Sequence, residues 1–251
     1  ASELKINLIA VFPFTPQELK TKYGDEALNP DNLVCRSLEK LKSHKSDFGI
    51  MCDVALDPYT DHGHDGLLSD EGKILNDETN GVLVKQSILL AEHGADIIAP
   101  SDMMDGRIGM IRDELEKNKF VDTLILSYAA KYSSGMYAPF RDAVGSSKNL
   151  KTDKKTYQMN ILNSDEAIRE ASMDIAEGAD MIMVKPGISY LDIIYRIKNE
   201  LKYPTFAYQV SGEYSLIKFG SQQGIINEET MVIEQLSSFK RAGADAIITY
   251  Y

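Results

Sequence analysis

The chain has 251 residues, 43% of them hydrophobic and 26% charged, a composition typical of one soluble globular domain with a sizeable core. The formal net charge of -11 predicts repulsion from nucleic acid and anionic membrane surfaces, which argues against both as partners. No apolar run reaches the roughly 18 residues of a membrane span. The two cysteines, Cys35 and Cys52, are too few for a disulfide framework. We therefore expect a single domain over residues 1–251 in a reducing compartment, the cytoplasm by default.

Short apolar runs alternate along the chain with longer amphipathic segments. The short runs predict seven strands, at Ile6–Phe12, Gly49–Leu56, Ile97–Pro100, Leu124–Tyr128, Met181–Lys185, Phe206–Val210 and Ala246–Tyr250. The longer segments predict helices at Val82–His93, Ile108–Lys117, Ser164–Ala176, Tyr190–Leu201 and Glu228–Arg241. Alternation of strand and helix predicts an α/β fold with a parallel sheet.

Three of these helices run into nearly the same four residues, immediately before a strand. The repeats are His93–Asp96, Glu177–Asp180 and Ala242–Asp245, each with Gly-Ala-Asp at its end. Glycine is the usual terminator of a helix in such a connection. Repeated units wound in one sense predict a (β/α)₈ TIM barrel rather than a dinucleotide-binding fold, whose fingerprint does not occur. Because the barrel has eight strands, we expect this sequence to lack the first strand and the C-terminal helix.

The polar stretch at Gly145–Thr156 has the composition of a loop, and we predict an active-site lid at about residues 132–158.

Two lysines stand at predicted strand ends, where a barrel carries its functional groups. Lys185 ends the apolar run Met181–Lys185, and loss of hydration there favours the neutral amine, a nucleophile towards ketones. Lys131 would bring a second cation near the first, which favours loss of one proton. A lone strand-terminal lysine is more often a snorkelling side chain, but two of them could bind two carbonyl substrates.

Other polar residues follow the predicted strands. The loop from Asp57 to Gly66 is rich in carboxylates and suits a hard cation such as Mg²⁺, although such composition is more often turn chemistry. It contains no thiolate, which argues against zinc. His62 and His64 could be either ligands or hydrogen-bonding supports. Further candidates are Asp53 and Ser101 at strand ends, Arg141, Lys154 and Gln158 as carboxylate clamps, and Ser211 with Tyr250 as donors to a second carboxylate.

Nearly the whole chain resembles the porphobilinogen synthase family, also called 5-aminolaevulinate dehydratases. The motifs that carry the resemblance are Ala27–Pro30, Ser101–Gly106, Tyr128–Lys131, Pro139–Asp142, Tyr157–Met159, Met183–Pro186, Gln209–Tyr214 and Thr249–Tyr250. The resemblance implies the asymmetric condensation of two 5-aminolaevulinate molecules to porphobilinogen, with loss of two waters.

The resemblance also implies a role for each site residue. The two substrate molecules occupy two positions, called the P side and the A side. Lys185 would form a Schiff base with the P-side substrate, and Lys131 would act on the A-side substrate. Asp53 and Ser101 would assist proton transfer. The implied substrate contacts are Ser211 and Tyr250 on one carboxylate, Arg141, Lys154 and Gln158 on the other, Tyr137 and Phe140 beside them, and Tyr208 along the pocket.

The same resemblance implies a cation and an assembly. Zinc-dependent members have three cysteines where this chain has Ala55, Asp57 and Asp65, so we expect Mg²⁺ or K⁺ instead, with Asp57 and Asp65 as ligands and no organic cofactor. Glu170 matches a ligand of an allosteric Mg²⁺. Relatives form homo-octamers through an amino-terminal arm, which we expect this sequence to lack. A removed transit peptide would place the protein in a plastid.

Two other functions fit part of the pattern. A Schiff-base aldolase on the same barrel would need one lysine and usually a phosphate site in the last loops, and no glycine-rich phosphate loop is evident. A non-catalytic, acidic metal-binding barrel would use only the aspartate-rich loop. The presence of both lysines argues against it.

Overall fold

The computed structural model describes residues 1–44, 48–143 and 153–251, without the side chains of residues 141 and 142. The strands in these ranges are β1 (Leu8–Val11), β2 (Gly49–Val54), β3 (Ile97–Pro100), β4 (Leu124–Lys131), β5 (Met181–Lys185), β6 (Thr205–Tyr208) and β7 (Ala246–Ile248). The helices are α1 (Leu33–Ser43), α2 (Asn76–Glu92), α3 (Arg107–Lys117), α4 (Ala138–Ala143), α5 (Asp165–Ala176), α6 (Leu191–Leu201), α7 (Ser211–Gln222) and α8 (Glu228–Ala242).

The first of two compact units contains Ala1–Ser127 and Glu177–Asp180. Its strands β1, β2, β3 and the start of β4 pair in parallel, in chain order. Strand β2 is buried along nearly its whole length, with a burial pattern that does not alternate. A strand covered on both faces reads as a continuous apolar run, which is why the sequence pattern located it.

The second unit contains Tyr128–Ala143, Lys154–Ala176 and Met181–Tyr251. Strands β5, β6 and β7 pair in parallel, again in chain order. Helix α6 packs its buried isoleucines inward, and Phe239 of α8 is completely buried. Parallel strands that alternate with helices and follow chain order are the architecture of a (β/α)₈-barrel protein, as predicted.

The three Gly-Ala-Asp repeats form the same local structure. Gly94, Gly178 and Gly243 all have positive φ, between 103° and 111°. Only glycine adopts this conformation without strain, so each glycine ends its helix and turns the chain into the next strand.

The aspartate of each repeat accepts a hydrogen bond from a backbone amide of the neighbouring strand. It also pairs with a cation of the helix that precedes that neighbouring strand. Asp96 accepts from Ile50 N at 2.8 Å and pairs with Lys42 at 2.6 Å. Asp180 accepts from Ile125 N at 2.7 Å and pairs with Arg112 at 2.5 Å. Asp245 accepts from Thr205 N at 2.8 Å and pairs with Lys198 at 2.7 Å. The repeat is thus a stabilising clamp at the strand beginnings.

The predicted bounds were wrong in several places. Helix α2 begins at Asn76, not Val82, because its first turn is held by buried polar groups such as Thr79, whose hydroxyl accepts from Leu67 N at 2.9 Å. Strand β4 continues to Lys131, β6 begins at Thr205, and β1, β2, β6 and β7 end earlier than predicted. Helices α1, α4 and α7 were not predicted. In α7, the apolar residues Leu216 and Phe219 are exposed, so the sequence does not show the clear amphipathic pattern from which a helix is predicted.

Within the described ranges, no helix is long and apolar enough to cross a membrane.

Candidate active site

Lys185 lies at the end of β5, with only 8% of its surface exposed. Its Nζ faces four aromatic rings, 4.7 Å from the centroid of Tyr208, 5.1 Å from Tyr128, 5.5 Å from Tyr137 and 5.6 Å from Phe140. Aromatic faces attract a cation, and their apolar surface keeps water away from the amine. The rings can therefore stabilise an ammonium or a protonated imine at this position.

Lys131 ends β4 and is also buried, at 5% exposed. The next residue connects it to Lys185, because Tyr132 N donates to the Lys185 carbonyl oxygen at 2.9 Å. On its other side, the Lys131 carbonyl accepts from Met159 N at 3.0 Å. The structure therefore brings the two predicted lysines to adjacent strand ends, with both backbones held in place.

Residues of the predicted lid pack onto the Lys185 pocket. The hydroxyl of Tyr137 donates to the Tyr132 carbonyl at 2.7 Å and lies 3.1 Å from that of Lys185. The amide of Phe140 donates to the hydroxyl of Ser211 at 3.0 Å. Ser211, predicted to hold a substrate carboxylate, thus also caps the lid helix α4.

The predicted carboxylate clamps lie in different parts of the second unit. Lys154 and Gln158 are both 4% exposed, and Gln158 N donates to the Lys154 carbonyl at 2.9 Å. The buried Oε1 of Gln158 has no hydrogen-bond partner among the described residues, as expected of a group that meets a ligand. The Tyr250 hydroxyl lies 3.1 Å from that of Tyr208. The side chain of Arg141 and lid residues 144–152 lie outside the described residues.

Asp53 and Ser101 lie close together in the first unit. Asp53 is in β2 and is 6% exposed, and Ser101, directly after β3, is 4% exposed. The amide of Ser101 donates to the Val54 carbonyl at 2.9 Å, so both polar groups stand at the carboxyl ends of neighbouring strands. Their assistance to the lysines stays a prediction.

Sequence reasoning missed the buried ion pair that follows Ser101. Asp102 is completely buried, with its carboxylate 3.3 Å from Arg107 Nε and 2.7 Å from Met104 N. Burial raises the pKa of Asp102 to about 6, although Arg107 and the amide of Met104 favour the charged form. The pair fixes a turn in which Met103 has a φ of 73°. Arg107 starts a helix and resembles a surface cation in sequence, so only its burial reveals the pair.

The aspartate-rich loop does not form a complete metal site by itself. Asp57 is 9% exposed and Asp65 is fully buried. His62 acts as a hydrogen-bonding support, since its Nδ1 accepts from His64 N at 3.2 Å and its Nε2 lies 3.2 Å from the Lys22 carbonyl. Within the described part of the chain, no three His, Cys, Asp or Glu side chains are grouped to hold a metal.

Glu170 lies in α5 and pairs with Arg169 at 3.1 Å.

A barrel-type parallel sheet with two buried lysines at adjacent strand ends is the arrangement expected of a lyase that binds carbonyl substrates through lysine. Comparison with known proteins identifies the family. The model of the delta-aminolevulinic acid dehydratase family matches residues 1–251, and the chain belongs to this family. Membership excludes the aldolase and the non-catalytic metal-binding barrel as alternatives.

The relatives agree with the family assignment. The chain is 53% identical over 251 residues to the delta-aminolevulinic acid dehydratase of Bradyrhizobium diazoefficiens, covering all of this chain and 71% of the relative. It is 52% identical over 239 residues to the Rhodobacter capsulatus enzyme, covering 95% and 72%. The chloroplastic enzyme of Chlamydomonas reinhardtii is 47% identical over 253 residues, with 98% of this chain and 65% of the relative covered.

A solved structure confirms the fold. The delta-aminolevulinic acid dehydratase (porphobilinogen synthase) of Toxoplasma gondii, in complex with the reaction product porphobilinogen, matches with a TM-score of 0.97 and 50% identity. The match covers 99% of this chain and 71% of that one.

Proposed function

We propose that the chain condenses two 5-aminolaevulinate molecules to porphobilinogen and two waters, with Lys185 as the Schiff-base lysine. The family gives the reaction class, a dehydratase. The observation that carries the residue assignment is the pair of buried lysines held at adjacent strand ends. Two ketone substrates can each meet one amine there.

In the proposed reaction, the neutral amine of Lys185 attacks the ketone carbon of the P-side substrate. The ketone oxygen takes up protons and leaves as the first water, which gives a protonated imine. The aromatic rings around Nζ support this cation, the nearest being that of Tyr208 at 4.7 Å. Lys131 acts in the same way on the A-side substrate, and this imine formation releases the second water. One carbon–carbon and one carbon–nitrogen bond then join the substrates, and both lysine amines leave as the pyrrole forms, so the net loss is two waters.

The charged ends of the substrates need separate partners. We propose that Ser211 and Tyr250 hold the P-side carboxylate and that Lys154, Gln158 and Arg141 hold the other. The free Oε1 of Gln158 supports a polar ligand at this position. Tyr137, Phe140 and Tyr208 pack beside the substrate, and Asp53 and Ser101 transfer protons.

We further propose Mg²⁺ or K⁺, rather than zinc, as the activating cation, with Asp57 and Asp65 as partial ligands and Glu170 at an allosteric Mg²⁺. Two carboxylates make an incomplete set, which suits a cation that keeps several waters. No catalytic step is assigned to the cation. Treatment with a chelator, followed by addition of Mg²⁺, K⁺ or Zn²⁺ and measurement of the recovered activity, tests which cation activates the enzyme. Recovery with zinc alone would contradict it.

For the assembly we propose a homo-octamer, and for the compartment the cytoplasm or a plastid. Light scattering of the parent protein tests the assembly, and fluorescence imaging of a tagged parent protein tests the compartment.

Borohydride reduction with 5-aminolaevulinate present, followed by peptide mass mapping, tests the proposed chemistry. An adduct on Lys185 is expected. An adduct on Lys131 alone would reverse the two lysine roles, and no adduct on either lysine would refute the Schiff-base mechanism.

A further inference from the structure

Glu213 is a buried carboxylate that the proposed reaction does not use. It lies in the first turn of α7 and is 2% exposed. All of its hydrogen-bond partners among the described residues are backbone amides, those of Val210, Ile188 and Gly187. Burying a carboxylate costs free energy unless hydrogen bonds compensate for the lost hydration, and here the three backbone amides provide that compensation.

The first contact is local. Val210 N donates to Glu213 Oε2 at 2.6 Å, which satisfies an amide at the start of the helix. Such a contact is the usual task of a glutamate at the third helical position. It accounts for one of the three amides.

The other two contacts reach the segment that follows β5. Ile188 N donates to Oε1 at 2.5 Å, and Gly187 N lies 3.5 Å from Oε2. These amides belong to the segment that directly follows Lys185 and Pro186. Glu213 therefore ties the start of α7 to the segment that follows the proposed Schiff-base lysine.

Lys185 is consequently held from both sides. Its carbonyl accepts from Tyr132 N at 2.9 Å on the β4 side, and Glu213 holds the two amides beyond Pro186. Burial raises the pKa of Glu213 in spite of its three amide donors. The ionised form is the better acceptor of these three hydrogen bonds, because protonation adds a donor and reduces the acceptor capacity of the carboxyl.

The same turn contacts the lid. The hydroxyl of Ser211 accepts from Phe140 N. Gly212 lies so close to the Met136 backbone that an added Cβ would clash with the Met136 carbonyl oxygen. The turn from Ser211 to Glu213 thus joins the lysine segment and the lid.

We propose that Glu213 is a positioning residue that sets the Lys185 amine for attack by holding the backbone of residues 187 and 188. The proposal rests on the Schiff-base role of Lys185. An attacking amine must meet the ketone carbon within a narrow range of distance and angle, and an error of about 1 Å can cost about 100-fold in rate.

Two variants separate positioning from helix capping. Glu213→Gln keeps the size but offers one carbonyl oxygen in place of two. Glu213→Asp keeps the charge and can still cap its own helix, but it is one methylene shorter and should not reach residues 187 and 188. We expect both to lower kcat by about 10- to 100-fold, with KM within about threefold of the parent.

Asn227→Ala is the matched control. Asn227 caps α8 by accepting from Thr230 N at 2.9 Å and is not part of the proposed site. Its loss should lower the unfolding midpoint and leave kcat unchanged. If Glu213 were only a cap, Glu213→Asp would restore kcat to the parent value, and this result would overturn the proposal.

Borohydride trapping in the same samples separates failure of this proposal from failure of the reaction assignment. We expect parent protein to be trapped on Lys185 and both Glu213 variants to be trapped at least 10-fold more slowly. A parent that is not trapped would refute the assignment itself. Trapping of the parent and of both variants at equal rates would overturn only the positioning role. Failure of both variants to fold would also overturn it, because Glu213 would then serve the fold rather than the amine.

Discussion

The two ends of the strands are built on different principles. At the strand beginnings, three Gly-Ala-Asp repeats form the same clamp, with positive φ at each glycine and an aspartate between a backbone amide and a cation. At the strand ends, each polar residue has different surroundings, from the four rings around Lys185 to the amide contact of Ser211.

This difference shows where stability and function reside. Each of the three clamps stabilises the beginning of a strand, so loss of one clamp should lower the stability of the fold and leave catalytic activity unchanged. A strand-end residue has no second copy, so its loss should remove activity and leave the fold. Substitutions of the same residue type at the two ends test this directly.

The largest effect is expected for a lysine. Lys185→Ala should lower kcat by roughly 10⁴-fold or more, because loss of a nucleophile removes the covalent path. Lys198→Ala, which removes the cation of the third clamp, should leave kcat unchanged and cost about 0.2–1 kcal/mol of stability. Steady-state kinetics and urea unfolding measure both. Substantial turnover by folded Lys185→Ala would refute the assigned nucleophile.

Glycines give the next test. Gly212→Ala should lower kcat/KM by about 100-fold, because its Cβ would meet Met136 backbone atoms and shift the lid. Gly243→Ala should mainly cost stability, roughly 1 kcal/mol, since Gly243 has a φ of 111°.

Equal kinetic losses in the two glycine variants would contradict the separation of the strand ends. Thermal unfolding of each variant shows whether a kinetic loss comes from a smaller folded fraction.

Much of this arrangement could be predicted from sequence. Strand β5 was predicted with its exact bounds because a buried parallel strand is a continuous apolar run, and Lys185 ends that run. The Gly-Ala-Asp clamps were visible as repeats because their glycines share one backbone conformation. Local pattern was enough for both.

The rest depends on contacts between residues far apart in sequence. Glu213 was overlooked because its carboxylate meets amides about 25 residues earlier, and a glutamate early in a helix is ordinarily a cap. Ser211 was predicted as a substrate contact, but its bond to Phe140 N spans 71 residues. Arg107 looks like a surface cation until its 4% exposure is known. No local pattern specifies such partners.

An aspartate of a clamp should affect stability alone. Asp180→Ala leaves Ile125 N without its side-chain acceptor and Arg112 without its carboxylate, so we expect a loss of about 1–3 kcal/mol in the free energy of unfolding. Asp113→Ala, on the exposed face of α3, should change it by less than about 0.5 kcal/mol. Urea unfolding compares them. A drop in kcat for folded Asp180→Ala would show that a clamp also serves the site.

The smallest effect is a pH dependence at Asp245. Burial raises the pKa of this carboxyl, but hydrogen bonds from Lys198 and Thr205 N outweigh it, so the pKa lies below the ordinary value of 3.8. Because the folded-state pKa is below the unfolded one, the contribution to stability is present above about pH 4 and is lost as pH falls through the folded pKa.

Asp245→Asn removes this titration and should be less stable than the parent at pH 6, by less than about 1 kcal/mol because the side chain is 43% exposed. The difference should shrink by pH 3, as the parent carboxyl begins to take up a proton. Urea midpoints at both pH values measure it. A difference that stays constant would mean that the clamp depends on its hydrogen bonds and not on the charge of Asp245.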